Sequence, residues 1–85
     1  MNQRTNIEWT PYKAIEYAEG FGEGEGATSE EVLEAWAYII SNEMYINLQG
    51  WYGRQVNNII ESGFISLEGE INWEKVDELT SDEYE

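Results

Sequence analysis

Apolar positions along this chain recur mostly at helical spacing. Tyr52, Val56, Ile59, Ile60 and Gly63 fall at i, i+4, i+7, i+8 and i+11, which predicts a helix over 52–62 with one apolar face and a terminating glycine. Upstream, Val32, Trp36, Ile39 and Ile40 line one face of a predicted helix over 29–41, with Glu30, Glu34 and Tyr38 off that face. Thr28 and Glu31 have capping-box spacing before it, and acids suit the positive end of a helix. Thr10 followed by Pro11 reads as an N-cap and first helical residue, predicting a helix over 11–19 with Gly20 beyond its end. Tyr12 and Ile15 are expected inward, and Trp9 is placed to staple onto this helix. Residues 1–8 read as a frayed terminus.

The connections are less regular. GFGEGEG at 20–26 holds too many glycines for a helix and reads as a flexible connector, with Phe21 turned towards the core. Ser41, Asn42 and Glu43 make a turn. Met44 and Leu48, four apart, favour a short helix there. Residues 64–73 alternate loosely around Glu68 and Gly69, which can form a small hairpin, although an isolated two-stranded hairpin is marginal. Asn72 can cap a last helix over 73–79, with Trp73 and Val76 inward. The fold class is therefore mainly α. It is a small single domain of three to four short helices over 1–79, a small C-terminal β-hairpin remaining open, with 80–85 as an acidic tail.

Composition narrows the chemistry. The 85 residues contain no Cys and no His, so a disulfide framework, a thiolate metal site and the commonest general base are all lacking. Four Trp, six Tyr and two Phe enlarge a core that a chain this short would otherwise keep small. The N-terminal residues lack a long apolar run, so neither a signal peptide nor a membrane span is expected, and a cytoplasmic setting is. Eighteen acids face four cations, giving −14. Residues 66–85 hold eight acids against Lys75, or −7, half of the total. Such a surface repels nucleic acid and anionic membranes and attracts basic partners.

The stretch LQGWYGR at 48–54, followed by IIESG at 59–63, resembles a motif of small uncharacterised proteins of tailed bacteriophages. There the pattern runs roughly Leu-Gln-Gly-aromatic-Tyr-Gly-Arg, then Leu-Ile-Glu-x-Gly. AIEYAEG at 14–20 resembles their Ile-x-Tyr-Glu-x-Gly element, and 29–40 their acidic, aromatic-bearing helix. Asn42 and Glu43 stand where that family has Thr-Gly. The resemblance implies a phage origin and the cytoplasm of an infected host. It supplies no activity and no catalytic residues.

Candidate chemistry is thin. The glycine-rich stretch is no phosphate cradle, because Glu23 and Glu25 would repel the anion and the P-loop lysine is missing. Nor does it have the ligand order of a calcium loop. Abundant carboxylates make close pairs a matter of chance, and no apolar context marks an acid/base pair. The helices 29–41 and 52–62 outline a helix-turn-helix, but one cation, Arg54, beside Gln55, Asn57 and Asn58 cannot offset the domain's charge, so direct nucleic-acid binding is not expected. Arg54 reads either as a structural cation, bridging an acid or stacking on Trp51 or Tyr52, or as a partner contact. The function expected is non-catalytic, without metal or cofactor: binding a host protein with a basic surface, as a nucleic-acid mimic that blocks a DNA-binding groove of restriction, CRISPR or transcription machinery. The alternative is an ordinary interaction or assembly module, with a homodimer among its forms, whose acidity confers only solubility. The expected partner-binding residues are Glu30, Glu34, Trp51, Tyr52, Arg54, Glu68, Glu70, Glu74 and Asp77.

Overall fold

Local signals set the helix boundaries. The computed structural model describes residues 3–48 and 50–82, and side chains up to residue 78. Helix α1 spans Pro11–Glu19, with the Thr10 hydroxyl accepting from the Lys13 amide and Gly20 in the left-handed region after it. Helix α2 spans Ser29–Ser41 behind a complete Thr28–Glu31 capping box. Helix α3 spans Gly50–Ser62, with Gly63 at φ +83° beyond it. Helix α4 spans Trp73–Asp82, its first turn capped by Asn72 Oδ1, which accepts from the Lys75 amide at 3.1 Å. It runs past the expected end at 79, so residues 80–82 are helical rather than tail; the rest of the expected tail, 83–85, lies outside the described residues.

Among the described residues, helices α1 and α2 make the most extensive pairing. Ala14 on α1 and Ala35 on α2 are both fully buried, and such small residues let the two backbones approach. Gly24 enforces the same closeness at the connection. A Cβ on it would stand 2.3 Å from the Glu16 carbonyl oxygen and 2.4 Å from the Tyr17 Cα. The connector is therefore a fitted turn, with a 3₁₀ element at Gly22–Gly24, and Phe21 is exposed rather than turned inward. Tyr12 is likewise out, at 68% exposure. The side of α1 that packs carries Ala14, Tyr17 and Ala18 instead.

Helix α3 joins α2 through large side chains. The Trp36 ring lies 5.7 Å from Tyr52 and 5.8 Å from Trp51, between centroids. Tyr52 and Val56 are buried; Ile59 and Ile60 are half-buried. Before α3, the short helix expected there is a single 3₁₀ turn at Met44–Asn47.

Among the described residues there is no strand. Residues 64–72 form a loop closed by one antiparallel bridge, Ile65 to Ile71, with the Ser66 amide donating to the Glu70 carbonyl at 2.8 Å and the Asn72 amide to the Phe64 carbonyl at 2.7 Å. Gly69 sits at the tip at φ +86°, against the end of α2: a Cβ there would meet the Ala37 carbonyl oxygen and the Ser41 amide nitrogen, each at 2.9 Å. The loop thereby delivers Ile65 and Ile71 to the core formed by Ile39, Ile40, Val56 and Val76.

Candidate functional site

The expected contact residues divide sharply once placed. Glu34 is 4% exposed, because it sits where the N-terminal segment crosses α2. Its Oε2 accepts from the backbone amides of Arg4 at 2.6 Å and Thr5 at 2.8 Å. Its Oε1 accepts from the Thr5 hydroxyl at 2.6 Å and the Trp9 indole at 3.1 Å. These four donors match the four acceptor positions of a carboxylate. Glu34 is thus an internal anchor, and its carboxylate is not part of the exposed acidic surface. Residues 3–8 are not a frayed end but a strap held by it.

Arg4 completes the strap. Its guanidinium donates to Asp77 through both terminal nitrogens, at 2.9 and 2.8 Å, and to Glu30 at 3.1 Å. It also lies 4.3 Å from the centroid of the Trp73 ring. The bidentate geometry is the strong form of this pairing, and the guanidinium holds the Asp77 carboxyl below its ordinary range. Glu30 and Asp77 are on the surface, but their charges are already answered. One arginine therefore links the N-terminal segment to α2 and α4.

Tyr52 is also removed from the surface. It is buried, and its hydroxyl donates to Glu19; burial and then that hydrogen bond push the phenol well above its usual range. Trp51 is the neighbour that stays out, at 37% exposure, with its ring edge-on to Tyr52 at 4.9 Å. Arg54 is exposed, and among the described residues it forms neither ion pair nor ring contact, so the first of its two readings, a structural cation, is not seen. Glu68, Glu70 and Glu74 are exposed as expected, and so is Glu78, one turn beyond Glu74 on α4.

The cations explain why the acidity is uneven. Besides Arg4, Lys13 approaches Glu23 at 4.0 Å, and Lys75 donates to the Ser62 carbonyl at the end of α3, near the Phe64 ring. Lys75 thus stitches α4 to α3 instead of neutralising Glu74 or Glu78. Among the described residues no ion pair reaches Glu68, Glu70, Glu74 or Glu78, and no three acids gather closely enough to hold a metal ion.

Clefts remain among the described residues. One of about 150 Å³ lies beside the strap, lined by Gln3, Trp9, Glu34, Ala37, Tyr38 and Ser41. Another, about 400 Å³, opens under the bridged loop between Ile60 and Ile71. Sequence reasoning missed the first because it treated the N-terminal residues as loose. The available signal was the unbroken run AWAYII after Glu34, which implies burial on most sides of α2 and hence of the residue at its head. No helix among the described residues is long and apolar enough to cross a membrane. Compared with known proteins, the chain matches no family model, no characterised protein and no solved structure.

Proposed function

We propose that this chain is a non-catalytic binding domain that docks its C-terminal carboxylates on a basic surface of another protein, one shaped to receive nucleic acid. One observation carries the reading: three of the four cations are engaged within the fold, while Glu68, Glu70, Glu74 and Glu78, close together in sequence, are exposed and have no ion-pair partner among the described residues. Glu74 and Glu78 are one turn apart on α4, a rise of about 6 Å, similar to the separation of successive phosphates on a nucleic-acid strand. The likeness of the 48–54 motif to phage proteins supports a host protein as the target. A non-catalytic role is supported by the absence of His and Cys from the sequence and by the tying of Glu30 and Asp77 to Arg4.

The ordinary-module alternative has its own support in Trp51 and in Ile46, which is 63% exposed on the turn before α3. The two readings separate in one experiment. The chain is used to capture proteins from bacterial lysate, eluted by a salt gradient, and challenged with duplex DNA. Mimicry requires steep loss with salt, displacement by DNA, and loss of capture on charge reversal of Glu68, Glu70, Glu74 and Glu78 to Lys. Capture that survives this reversal and is lost with Trp51→Ala or Ile46→Ser would overturn it in favour of the module, including its homodimeric form.

A further inference from the structure

We infer that the 150 Å³ cleft beside the strap receives an alkylammonium group, namely the end of a lysine side chain on the basic partner. This rests on the docking reading and specifies one point of contact within it.

The cleft joins a buried carboxylate to two aromatic walls, Trp9 and Tyr38. Glu34 accepts four hydrogen bonds, but every donor is neutral: two backbone amides, a hydroxyl and an indole. Among the described residues no Lys or Arg side chain comes within ion-pair distance of it. The nearest arginine, Arg4, lends Glu34 only its backbone amide, since its guanidinium is committed to Asp77, Glu30 and the Trp73 ring. A charge without a counter-ion, shielded from water, projects its field further than an exposed one does. Cations bind aromatic faces, and cages of such faces are a recurring receptor for ammonium and methylated ammonium groups.

The hydrogen bonding selects among cations. With all four acceptor positions of Glu34 occupied, no bidentate seat remains for a guanidinium. What remains is the field of the carboxylate, the Trp9 and Tyr38 lining and the Gln3 amide oxygen, the last an acceptor for one N–H of an alkylammonium. Gln3 adds a rim: its amide nitrogen donates to the Ile7 carbonyl, and among the described residues its amide oxygen has no donor. The volume is about ten times the minimum that one water molecule requires, enough for the end of a lysine chain.

The test follows the Trp9 indole N–H and the Tyr38 amide of the whole chain in proton–nitrogen NMR spectra. The added probes are N-acetyl-lysine N-methylamide, its Nε-trimethylated form, and the norleucine analogue that keeps the stem without the charge. The cationic probes should give saturable shifts with Kd in the millimolar range, and norleucine none. Because Glu34→Gln disturbs the strap as well, the decisive variants are Tyr38→Leu and Tyr38→Phe. Tyr38→Leu should weaken both cations about fivefold or more, and Tyr38→Phe should keep them. Equal binding of norleucine, no saturation, or indifference to Tyr38→Leu would overturn the assignment. If Tyr38→Leu loses the probes yet captures the partner as well as the native chain, the ligand is a free amine and the lysine assignment fails. Salt-sensitive capture of a basic partner by a chain that binds none of the probes refutes the cleft alone. Probe binding by a chain with no such partner refutes the docking reading.

Discussion

Replacing Glu34 by alanine strips four donors of their shared acceptor at once. Each charge-assisted hydrogen bond of this kind contributes about 1.5–3 kcal/mol when its partner stays buried. Four such losses would add to more than the whole stability of a small domain, roughly 5 kcal/mol, so they cannot be additive. The limit is set by release of the strap. Once residues 3–8 swing into water, the Arg4 and Thr5 groups are resolvated, and the remaining loss is the strap's contacts plus a Trp9 indole left beside Tyr17, 5.0 Å away between centroids. We expect Glu34→Ala to cost about 2–4 kcal/mol, lowering Tm by roughly 10–25 °C. Thr5→Val, which removes one donor of the four, should cost about 1 kcal/mol.

Thermal melts give the magnitude, and hydrogen exchange locates it: the Arg4 and Thr5 amides should lose protection while the α2 interior keeps its own. Deleting residues 1–5 should destabilise about as much as Glu34→Ala, and Glu34→Ala placed on the deletion should cost little more, because both act through one connection. Glu34→Ala melting within a few degrees of the native chain would refute the reasoning. So would full additivity with the deletion.

Other consequences are sharp enough to measure. Gly24→Ala drives a Cβ into the α1 backbone and should cost at least about 2 kcal/mol in urea melts, whereas Gly53→Ala, with nothing within 4 Å, should stabilise α3 by about 0.5–1 kcal/mol. Glu43 holds φ +53° in the turn after α2, so Glu43→Gly should be neutral or stabilising by up to about 1 kcal/mol, read from the same melts. Arg4 depresses the folded pKa of Asp77 below its unfolded value, so this pair's contribution is present above the unfolded pKa and lost as pH falls through the folded one. Tm should therefore rise from pH 7 to about pH 5 as like-charge repulsion eases, then fall below about pH 4, and Asp77→Asn should blunt only the lower limb.

How much of this was legible depended on how local the signal was. The bounds of α1 and α2 follow from Thr10, Pro11, Thr28 and Glu31, which act on the next turn of their own chain and need no tertiary context. Tyr12 shows where periodicity fails: a nine-residue helix offers several apolar stripes, and the one used is set by how near Ala14 lets α2 come. Glu34 shows the same for the site. Its place on the wheel pointed outward, and its burial depends on donors 25 to 30 positions earlier in the chain, in a stretch with no periodicity of its own. Glu43 is the converse case: it holds φ +53°, a conformation its side chain does not signal, so the left-handed turn after α2 could not be read from the residue that makes it.

The distribution of the cations bears most directly on function. A chain with four cations and eighteen acids could have used each cation to neutralise the region of highest acid density, which is 66–85. Lys75, the only cation in that region, bonds instead to the Ser62 carbonyl, where it answers the negative end of α3 and lies near the Phe64 ring. Among the described acids of that region Arg4 pairs with Asp77, and it ties that residue to Glu30. Arg4 and Lys75 thus act as stitches between elements, each beside an aromatic ring, and the exposed acids at 68–78 that neither stitch needs have no cation partner among the described residues. Repulsion among those acids costs stability that solubility alone does not require, since the same fold would tolerate Gln at Glu68, Glu70, Glu74 and Glu78, which are exposed and bond to no cation. A surface kept at that cost is explained when a basic partner relieves it. The fourfold Gln variant should accordingly melt higher than the native chain at low salt, lose that advantage at high salt, and fail to capture the partner. A variant that melts no higher at low salt would mean the carboxylates are too dispersed to strain the fold, and the argument from charge would lose its physical basis.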